Sequence, residues 1–330
     1  MYSILRSCKT LLCTSGLALM LFSCENAPTA ETKIPETDAP KTEAKAETMR
    51  TNIRLAKRND RNEFVEGRKF VRDVAHIEQI LPAIYQNEGP AWENENIGFR
   101  MYWDERNGID IHGKKVRDLV LDTVGLDRND YHKMSDWGMD VLKVKNSLGA
   151  GSIALMIDGK IHRIGDATEE RVMITEETAV RSAFHLDYAG LAIAGRIIDL
   201  DWDISIEAGT HGYESSITAT GLTGGEELLI GIVNQRADKV YTMEMDDRFA
   251  IYTHAPQAEL DHYLGMAVSV DKEHYIANGE LAPDAQPVSS SYYVRAKLEE
   301  GKPTGYRFTA GWAPGHPEFK QREAFAEVIR

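Results

Sequence analysis

The stretch Ser152-Ile153-Ala154-Leu155-Met156-Ile157-Asp158-Gly159-Lys160-Ile161-His162-Arg163-Ile164 predicts the fold most directly. Branched apolar residues recur at every second position before Asp158-Gly159, as in a strand with one buried face. An Asp-Gly pair suits the type I′ turn that joins two twisted antiparallel strands. The stretch therefore predicts a β-hairpin within an antiparallel sheet.

The same period-two pattern, interrupted by turn signals, continues along most of the chain. Further strands are predicted over residues 99–103, 189–198, 203–208, 216–220, 227–233, 265–270, 291–298 and 306–312. The best helix candidate is 317–330, where Pro317 suits the first turn and Phe325, Val328 and Ile329 share a face. These elements predict an all-β fold, a large antiparallel β-sandwich with few short helices.

The three cysteines, Cys8, Cys13 and Cys24, all lie in the first 24 residues. The remainder of the chain therefore has no disulfide, thiolate zinc site or cysteine nucleophile. The N-terminal segment combines basic residues with a short apolar core, which is typical of an export signal over residues 1–23. Leu21-Phe22-Ser23-Cys24 resembles a bacterial lipobox, so Cys24 is the predicted lipidation site. An uncleaved anchor helix is the alternative.

Residues 24–50 are rich in Glu, Thr, Ala, Lys and Pro and contain almost no large apolar residue. Such a composition predicts a disordered, lipid-anchored stalk. The expected protein is an outer-membrane lipoprotein, facing the periplasm or the cell surface, that contacts the membrane only through Cys24. About 280 residues follow without an internal linker, which predicts one catalytic domain over residues 51–330.

The chain is acidic, with 38 basic and 52 acidic residues. Without the signal peptide, 36 basic residues remain and the net charge is −16. This balance argues against nucleic acid as a partner. The balance does not exclude an anionic sugar as the ligand, provided that the binding pocket contains its own Arg and Lys residues. The chain also lacks the G-x-S-x-G and H-E-x-x-H motifs, and the glycine-rich stretch 147–152 lacks the Lys of a phosphate loop.

Two segments, 92–102 and 131–143, concentrate aromatic, charged and amide side chains. Aromatic faces stack on sugar rings while amides, carboxylates and guanidinium groups bind hydroxyls, so this mixture suits a saccharide cleft. Core packing of Trp92 and Trp137 is the structural alternative. In a strand, Asn96, Gly98, Arg100 and Tyr102 would share one face, and Ile97, Phe99 and Met101 the other.

These segments also carry a resemblance to a known family. The matching blocks are Ala91-Trp92-Glu93-Asn94, Gly98-Phe99-Arg100-Met101-Tyr102, Gly108-Ile109-Asp110, Gly113-Lys114, Tyr131-His132-Lys133, Gly138-Met139-Asp140, Leu142-Lys143-Val144 and Ser147-Leu148-Gly149-Ala150-Gly151. They resemble a bacterial domain-of-unknown-function family found in exported proteins of polysaccharide degraders, one that includes an ulvan oligosaccharide dehydratase.

The resemblance implies a sandwich like that of galactose mutarotases. It also implies removal of water from the glucuronic or iduronic acid that ends an ulvan oligomer of uronic acid and sulfated rhamnose. The product would be a 4,5-unsaturated uronyl end, the substrate of a downstream glucuronyl hydrolase. The partner would be an anionic sulfated oligosaccharide.

Elimination needs a base for the C5 proton, neutralisation of the adjacent carboxylate and a proton donor for the departing hydroxyl, and it requires no metal or organic cofactor. His132 is the first candidate for base or acid, and Tyr131 is the alternative donor. Arg100 and Lys143 are candidates to neutralise the carboxylate. Substrate-binding candidates are Trp92, Glu93, Asn94, Asn96, Tyr102, Lys133, Trp137, Asp140 and His211.

Three other interpretations stay open at the level of the sequence. The aromatic and polar clusters suit a non-catalytic glycan-binding lipoprotein equally well. A chain-cleaving lyase or a sugar epimerase could use the same scaffold, since both begin by removing a comparable proton. A zinc site formed by His132, His211 and His254 is conceivable, although the spacing matches no known site.

Overall fold

The Asp158-Gly159 hairpin is present in the computed structural model, which describes residues 48–72, 83–126, 131–165 and 167–330. Asp158 and Gly159 have φ of 51° and 73°, as a type I′ turn requires. Lys160 pairs with Ile157 across this turn. The chain from Glu47 to Arg330 forms one unit. The predicted signal peptide, Cys24 and all but the last residues of the predicted stalk lie outside the described residues.

Three large sheets and one two-stranded ribbon account for the strands that the structure describes. An N-terminal sheet contains β1 (Thr51–Arg54), β5 (Ala91–Asn94), β6 (Ile97–Met101), β7 (Ile109–Lys114) and β8 (Gly138–Asp140), in that spatial order. The ribbon consists of β2 (Ala56–Arg58) and β3 (Phe64–Glu66).

A second five-stranded sheet contains β9 (Ala150–Ile157), β10 (Lys160–His162), β15 (Glu227–Val233), β19 (Tyr275–Leu281) and β20 (Ser291–Lys297). Its spatial order is β10-β9-β15-β20-β19.

The nine-stranded sheet contains β4 (Lys69–Val71), β11 (Glu169–Glu177), β12 (Arg181–Ile193), β13 (Arg196–Glu207), β14 (Gly212–Thr220), β16 (Tyr241–Glu244), β17 (Arg248–Ala255), β18 (Leu264–Asp271) and β21 (Thr304–Trp312). Its order is β16-β17-β18-β21-β14-β13-β12-β11-β4.

The two five-stranded sheets face the nine-stranded sheet across one apolar core. Trp92 packs on Phe184 with ring centroids 5.1 Å apart, and Phe99 lies 5.0 Å from Tyr213. Burial of each large apolar side chain contributes roughly 1.5–3 kcal/mol. Pairing within the named sheets is antiparallel, and helices are few. The predicted all-β antiparallel sandwich is therefore confirmed.

The described residues contain four helical segments, all short. Three are 3₁₀ helices, Gln86–Glu88, Glu259–Asp261 and Pro317–Lys320, and one is the α-helix α1, Arg322–Ile329. The single helix predicted over 317–330 is therefore wrong in its extent. Gln321 has extended backbone angles and separates Pro317–Lys320 from α1. Phe325 and Ile329 are buried on one face of α1, as predicted.

One predicted strand, 189–198, is wrong because it spans a hairpin. β12 ends at Ile193 and β13 begins at Arg196, with Ala194 and Gly195 in the turn at φ of 51° and 75°. Apolar residues lie on both sides of this turn, and a single glycine, Gly195, marks it. No helix among the described residues is long and apolar enough to cross a membrane.

Candidate active site

Strands β6, β7 and β8 bring four polar side chains onto one face of the N-terminal sheet. Arg100 pairs with Asp110 across β6 and β7, and His112 pairs with Asp140 across β7 and β8. The intervening residues, including Phe99 and Ile111, point into the sandwich core. Alternation along the strands thus separates a polar site from the core.

Arg100 is the centre of this polar face and is fully buried. Its Nη1 donates to Glu88 Oε2 at 2.6 Å. Its Nη2 donates to Asp140 Oδ2 at 2.9 Å, to Asp110 Oδ2 at 3.1 Å and to the Tyr102 hydroxyl at 2.5 Å. Because three carboxyl groups and a phenol already surround it, Arg100 holds the cluster together instead of presenting a free cation.

The backbone that carries Glu88 is strained. Asn87 and Glu88 have φ of 56° and 63°, a region that residues other than glycine seldom occupy. Asparagine adopts this region readily, but for Glu88 it costs on the order of 1–3 kcal/mol and persists only where the surrounding structure imposes it. The salt bridge between Glu88 and Arg100 is one contact that compensates for this cost.

The two carboxyl groups beside Arg100 have pKa values shifted in opposite directions. Burial and the nearby charge of Asp140 raise the pKa of Asp110 well above its usual range. Burial also opposes ionisation of Asp140, but Arg100 and His132 outweigh it and hold the Asp140 pKa at about 2. The pair can therefore consist of a protonated Asp110 and an ionised Asp140, an arrangement typical of acid and base sites.

His132 lies at the exposed edge of the cluster. Its side chain is 51 % exposed, and its Nδ1 lies 3.3 Å from Asp140 Oδ2. The Tyr131 ring lies 4.3 Å from the imidazole and 5.0 Å from the Arg100 guanidinium carbon. Burial raises the pKa of Tyr131. The structure therefore brings together five predicted residues, Arg100, Tyr102, Tyr131, His132 and Asp140.

The sequence interpretation missed His112 and Asp110. His112 is fully buried, and neither ring nitrogen has a hydrogen-bond partner among the described residues. Burial lowers its pKa to about 3, so the imidazole is neutral at physiological pH. The signal for both residues was the alternation of polar and other residues along Ile109–Lys114, which places Asp110 and His112 on the face of Arg100.

The remaining predicted residues of the 131–143 segment differ in their exposure to solvent and in whether they reach the Arg100 cluster. Trp137 is half-buried, with its ring 5.8 Å from His112. Lys133 is exposed and makes no ion pair with any described residue. Lys143 points elsewhere, and its Nζ lies 3.4 Å from Glu259. The structure thus does not bring Lys143 to the Arg100 cluster.

Glu93 belongs to a second buried ion pair on the same sheet face. Lys114 Nζ donates to Glu93 Oε2 at 2.5 Å and to the Asn94 carbonyl at 2.7 Å. The backbone amides of Val120 and Leu121 donate to Glu93 Oε1. Burial raises the pKa of Glu93 and lowers that of Lys114. This pair ties the 115–126 segment to the sheet.

Three predicted binding residues meet at another place. Asn94 donates to the carbonyls of Glu207 and Thr210, and Asn96 donates to the same Thr210 carbonyl at 2.8 Å. His211 lines a cavity of about 330 Å³ on the nine-stranded sheet. Burial, then His316 and Arg117, lower the pKa of His211 to about 4.

Trp92 is a core residue, 1 % exposed, and packs on Phe99 and Phe184. This placement matches the structural alternative stated for it above. His254 Nε2 donates a hydrogen bond to the Phe319 carbonyl, 2.9 Å away. Across the described ranges, no group of three or more His, Cys, Asp or Glu side chains is arranged to hold a metal ion.

The fold and the site define an all-β sandwich protein with a buried arginine–carboxylate cluster beside an exposed histidine. The chain belongs to the family of the domain of unknown function DUF4861, whose profile matches residues 21–330. The predicted membership of a domain-of-unknown-function family is thereby confirmed. No match was found among the curated proteins.

One similar solved structure is the crystal structure of a protein from Klebsiella pneumoniae described as an aldose 1-epimerase. The similarity covers 84 % of this chain and 94 % of that chain, at 8 % identity and a TM-score of 0.38. At this distance it says nothing about substrate or reaction.

Proposed function

We propose that the protein is an oligosaccharide dehydratase. It removes water from the glucuronic or iduronic acid at the non-reducing end of ulvan-type oligomers and leaves a 4,5-unsaturated uronyl end. The resemblance described above suggests the substrate. The observation that carries the reaction type is the pairing of the exposed His132 with the buried Asp140, next to Arg100 and two tyrosines.

His132 is the base in this proposal. A carboxylate that accepts a hydrogen bond from Nδ1–H orients the imidazole and leaves Nε2 free to take a proton. Asp140 is suited to this task because its low pKa keeps it ionised. Since half of the His132 side chain is exposed, a sugar ring can approach its Nε2.

Arg100 has a structural role in the site. Its guanidinium is buried against Glu88, Asp110 and Asp140, so it fixes these groups and presents no exposed edge to a substrate carboxylate. The more accessible cations nearby are Lys133 and Arg106. The Arg106 side chain is 31 % exposed, and its guanidinium carbon lies 4.3 Å from the centre of the Tyr102 ring. Its Nε and Nη2 pair with Asp104, whereas its Nη1 has no hydrogen-bond partner among the described residues. We assign neutralisation of the uronate to these two residues.

The chemistry then balances without another reactant. His132 takes the C5 proton, the C4–O bond breaks, and a protein acid gives a proton to the departing hydroxyl. The products are water and the 4,5-unsaturated sugar. Withdrawal of charge by the neutralised carboxylate makes the C5 proton acidic enough for an imidazole base.

The test is to incubate the protein with saturated uronyl-rhamnose-sulfate oligomers and to follow ultraviolet absorbance and product mass. A rise in absorbance with loss of one water and an intact chain is expected. His132→Ala should abolish this change, whereas the matched control His274→Ala, in the turn between β18 and β19, should not.

Other outcomes would contradict the proposal in distinct ways. Chain cleavage with a rise in absorbance would indicate a lyase. Inversion without a change in mass would indicate an epimerase. Binding of unchanged oligomers would indicate a glycan-binding protein.

A further inference from the structure

Tyr102 occupies an unusual position within the Arg100 cluster. It directly follows β6, its side chain is half-buried, and its hydroxyl donates to Asp110 Oδ2 at 2.8 Å. The same hydroxyl accepts a hydrogen bond from Arg100 Nη2 at 2.5 Å. A phenol between a carboxyl group and a guanidinium can both receive and release a proton.

Two guanidinium groups also lie against the Tyr102 ring. The Arg100 and Arg106 guanidinium carbons are 4.4 Å and 4.3 Å from its centroid. Cations over an aromatic face are attracted to the ring, and this attraction increases as the ring becomes negatively charged. Burial nevertheless raises the pKa of Tyr102 well above its usual range, with Arg100 opposing this shift only in part, so the phenol keeps its proton until a departing group takes it.

Asp110 adds a source of protons behind Tyr102. Its carboxyl group is fully buried, and its Oδ2 shares Arg100 Nη2 with Asp140 Oδ2. Two carboxyl groups that meet at one buried nitrogen seldom both stay ionised. When Asp110 carries the proton, its O–H donates to the Tyr102 oxygen, and the Tyr102 O–H is free to point outward.

We propose that Tyr102 is the proton donor to the departing C4 hydroxyl and that Asp110 returns a proton to Tyr102. This inference rests on the proposed dehydratase function. As the C4–O bond breaks, the Tyr102 proton joins the hydroxyl and forms water. The Asp110 proton then moves to the Tyr102 oxygen. Solvent carries the proton from His132 back to Asp110, and the enzyme regains its starting state.

Tyr131 is the rival donor and also the natural control. Its ring contacts His132. Like the Tyr102 ring, it also lies near the Arg100 guanidinium. Unlike Tyr102, its hydroxyl makes no hydrogen bond to any described residue. It therefore has no source of protons among the described residues, so any loss of kcat in Tyr131→Phe should be the same factor on substrates with good and poor leaving groups.

The experiment compares the whole protein with Tyr102→Phe and Tyr131→Phe on two oligomers. One carries the normal C4 hydroxyl, and the other carries fluorine at C4, which leaves as fluoride and needs little protonation. Tyr102→Phe is expected to lose about 10²–10⁴-fold in kcat on the hydroxyl substrate, the usual range for loss of a general acid. On the fluoro substrate the loss should be less than about tenfold.

The outcomes separate this inference from the proposed function. If the wild-type protein eliminates neither substrate, the dehydratase proposal fails. If it eliminates both, and Tyr102→Phe either retains full activity or loses the same factor on both, Tyr102 is not the donor and the dehydratase proposal stands. Thermal melting of each variant shows whether the fold is intact.

Asp110→Asn tests the proton supply separately. The amide keeps an oxygen near Arg100 but has no acidic proton. In the wild-type protein, kcat should fall as the pH rises through the raised pKa of Asp110, and this high-pH limb of the profile should be absent in Asp110→Asn. An unchanged high-pH limb would show that Asp110 has only a structural role.

Discussion

Asp140 connects the buried Arg100 to the exposed His132, and both contacts depend on its charge. In Asp140→Asn the amide still fits the site, but it no longer stabilises a protonated imidazole. We expect kcat for elimination to fall about 10²–10⁴-fold, as when a carboxylate behind a catalytic histidine is made neutral. Initial rates of the absorbance change measure this loss.

The matched control for that substitution is Asp136→Asn. Asp136 is exposed in the same segment and makes no ion pair with any described residue. Its replacement should leave kcat unchanged within about twofold, since exposed charges seldom matter at that scale. If Asp140→Asn were equally active, Asp140 would not orient the base.

The burial of His112 leads to a prediction about the free energy of unfolding that does not depend on the reaction. Its folded-state pKa is about 3 against an ordinary 6.5, because burial disfavours the charged ring. Between these values the unfolded chain binds a proton that the folded protein does not, so stability decreases as pH falls from 6.5 towards 3. At pH 5 this loss is about 2 kcal/mol relative to pH 8.

Denaturant unfolding of the wild-type protein and His112→Asn at pH 5 and pH 8 measures that contribution. The variant should lose about 2 kcal/mol less stability on acidification than the wild-type protein does. Other groups, including Asp110 with its opposite shift, remain in both proteins and cancel to first order. Equal losses in the two proteins would show that His112 gains a proton in the folded state.

The site was only partly predictable from single residues. Tyr131, His132 and Asp140 are close in the chain, so one segment revealed them together. Trp92 and Glu93 are also adjacent, yet alternation sends Trp92 into the core and Glu93 to the polar face. Asn96 reaches Thr210, the neighbour of His211, only because the N-terminal sheet packs on the nine-stranded sheet, and spacing along the chain does not encode that packing.

Strand β8 depends on Gly138 for its place beside β7. Gly138 has φ of 137°, and an added Cβ would lie 1.8 Å from the Gly113 carbonyl oxygen. Gly138→Ala must therefore displace β8, which carries Asp140. We expect a loss of at least about 2 kcal/mol in the free energy of unfolding and of most elimination activity.

Gly159→Ala is the control for this substitution at another turn. Gly159 has φ of 73°, but an added Cβ meets no heavy atom within 4 Å. It should cost only the backbone penalty, about 1 kcal/mol, and leave activity intact. Equal effects of the two substitutions on activity would mean that β8 tolerates the displacement or is unimportant for the site.

Fewer than half of the described strands were predicted, and several of these are buried on both faces. The prediction over 227–233 matches β15, and 265–270 lies within β18. Strands such as β11 and β17 were missed, and the helix over 317–330 is divided at Gln321. The pattern of apolar residues along the chain indicates which residues are buried. It does not show where the chain reverses direction within an apolar stretch.

At the scale of the whole molecule, negative charge is concentrated on the outer face of the nine-stranded sheet. Asp201, Asp203 and Glu207 on β13 and Glu214 on β14 each expose more than half of their side chains. Arg181 and Arg307 compensate them only in part. An anionic oligomer is therefore repelled from this face and from most of the surface.

This repulsion predicts an unusual response to salt. For an acidic protein and an anionic substrate, kcat/KM should rise a few-fold as salt increases from about 20 to 150 mM, where the Debye length has fallen to about 8 Å.

Lys133→Glu should lower kcat/KM most at low salt, because it reverses an exposed charge next to His132. Lys320→Glu changes the net charge equally near α1 and should have a much smaller effect. A fall in wild-type kcat/KM with salt would instead mean that Arg106 and Lys133 outweigh the acidic surface and attract the substrate.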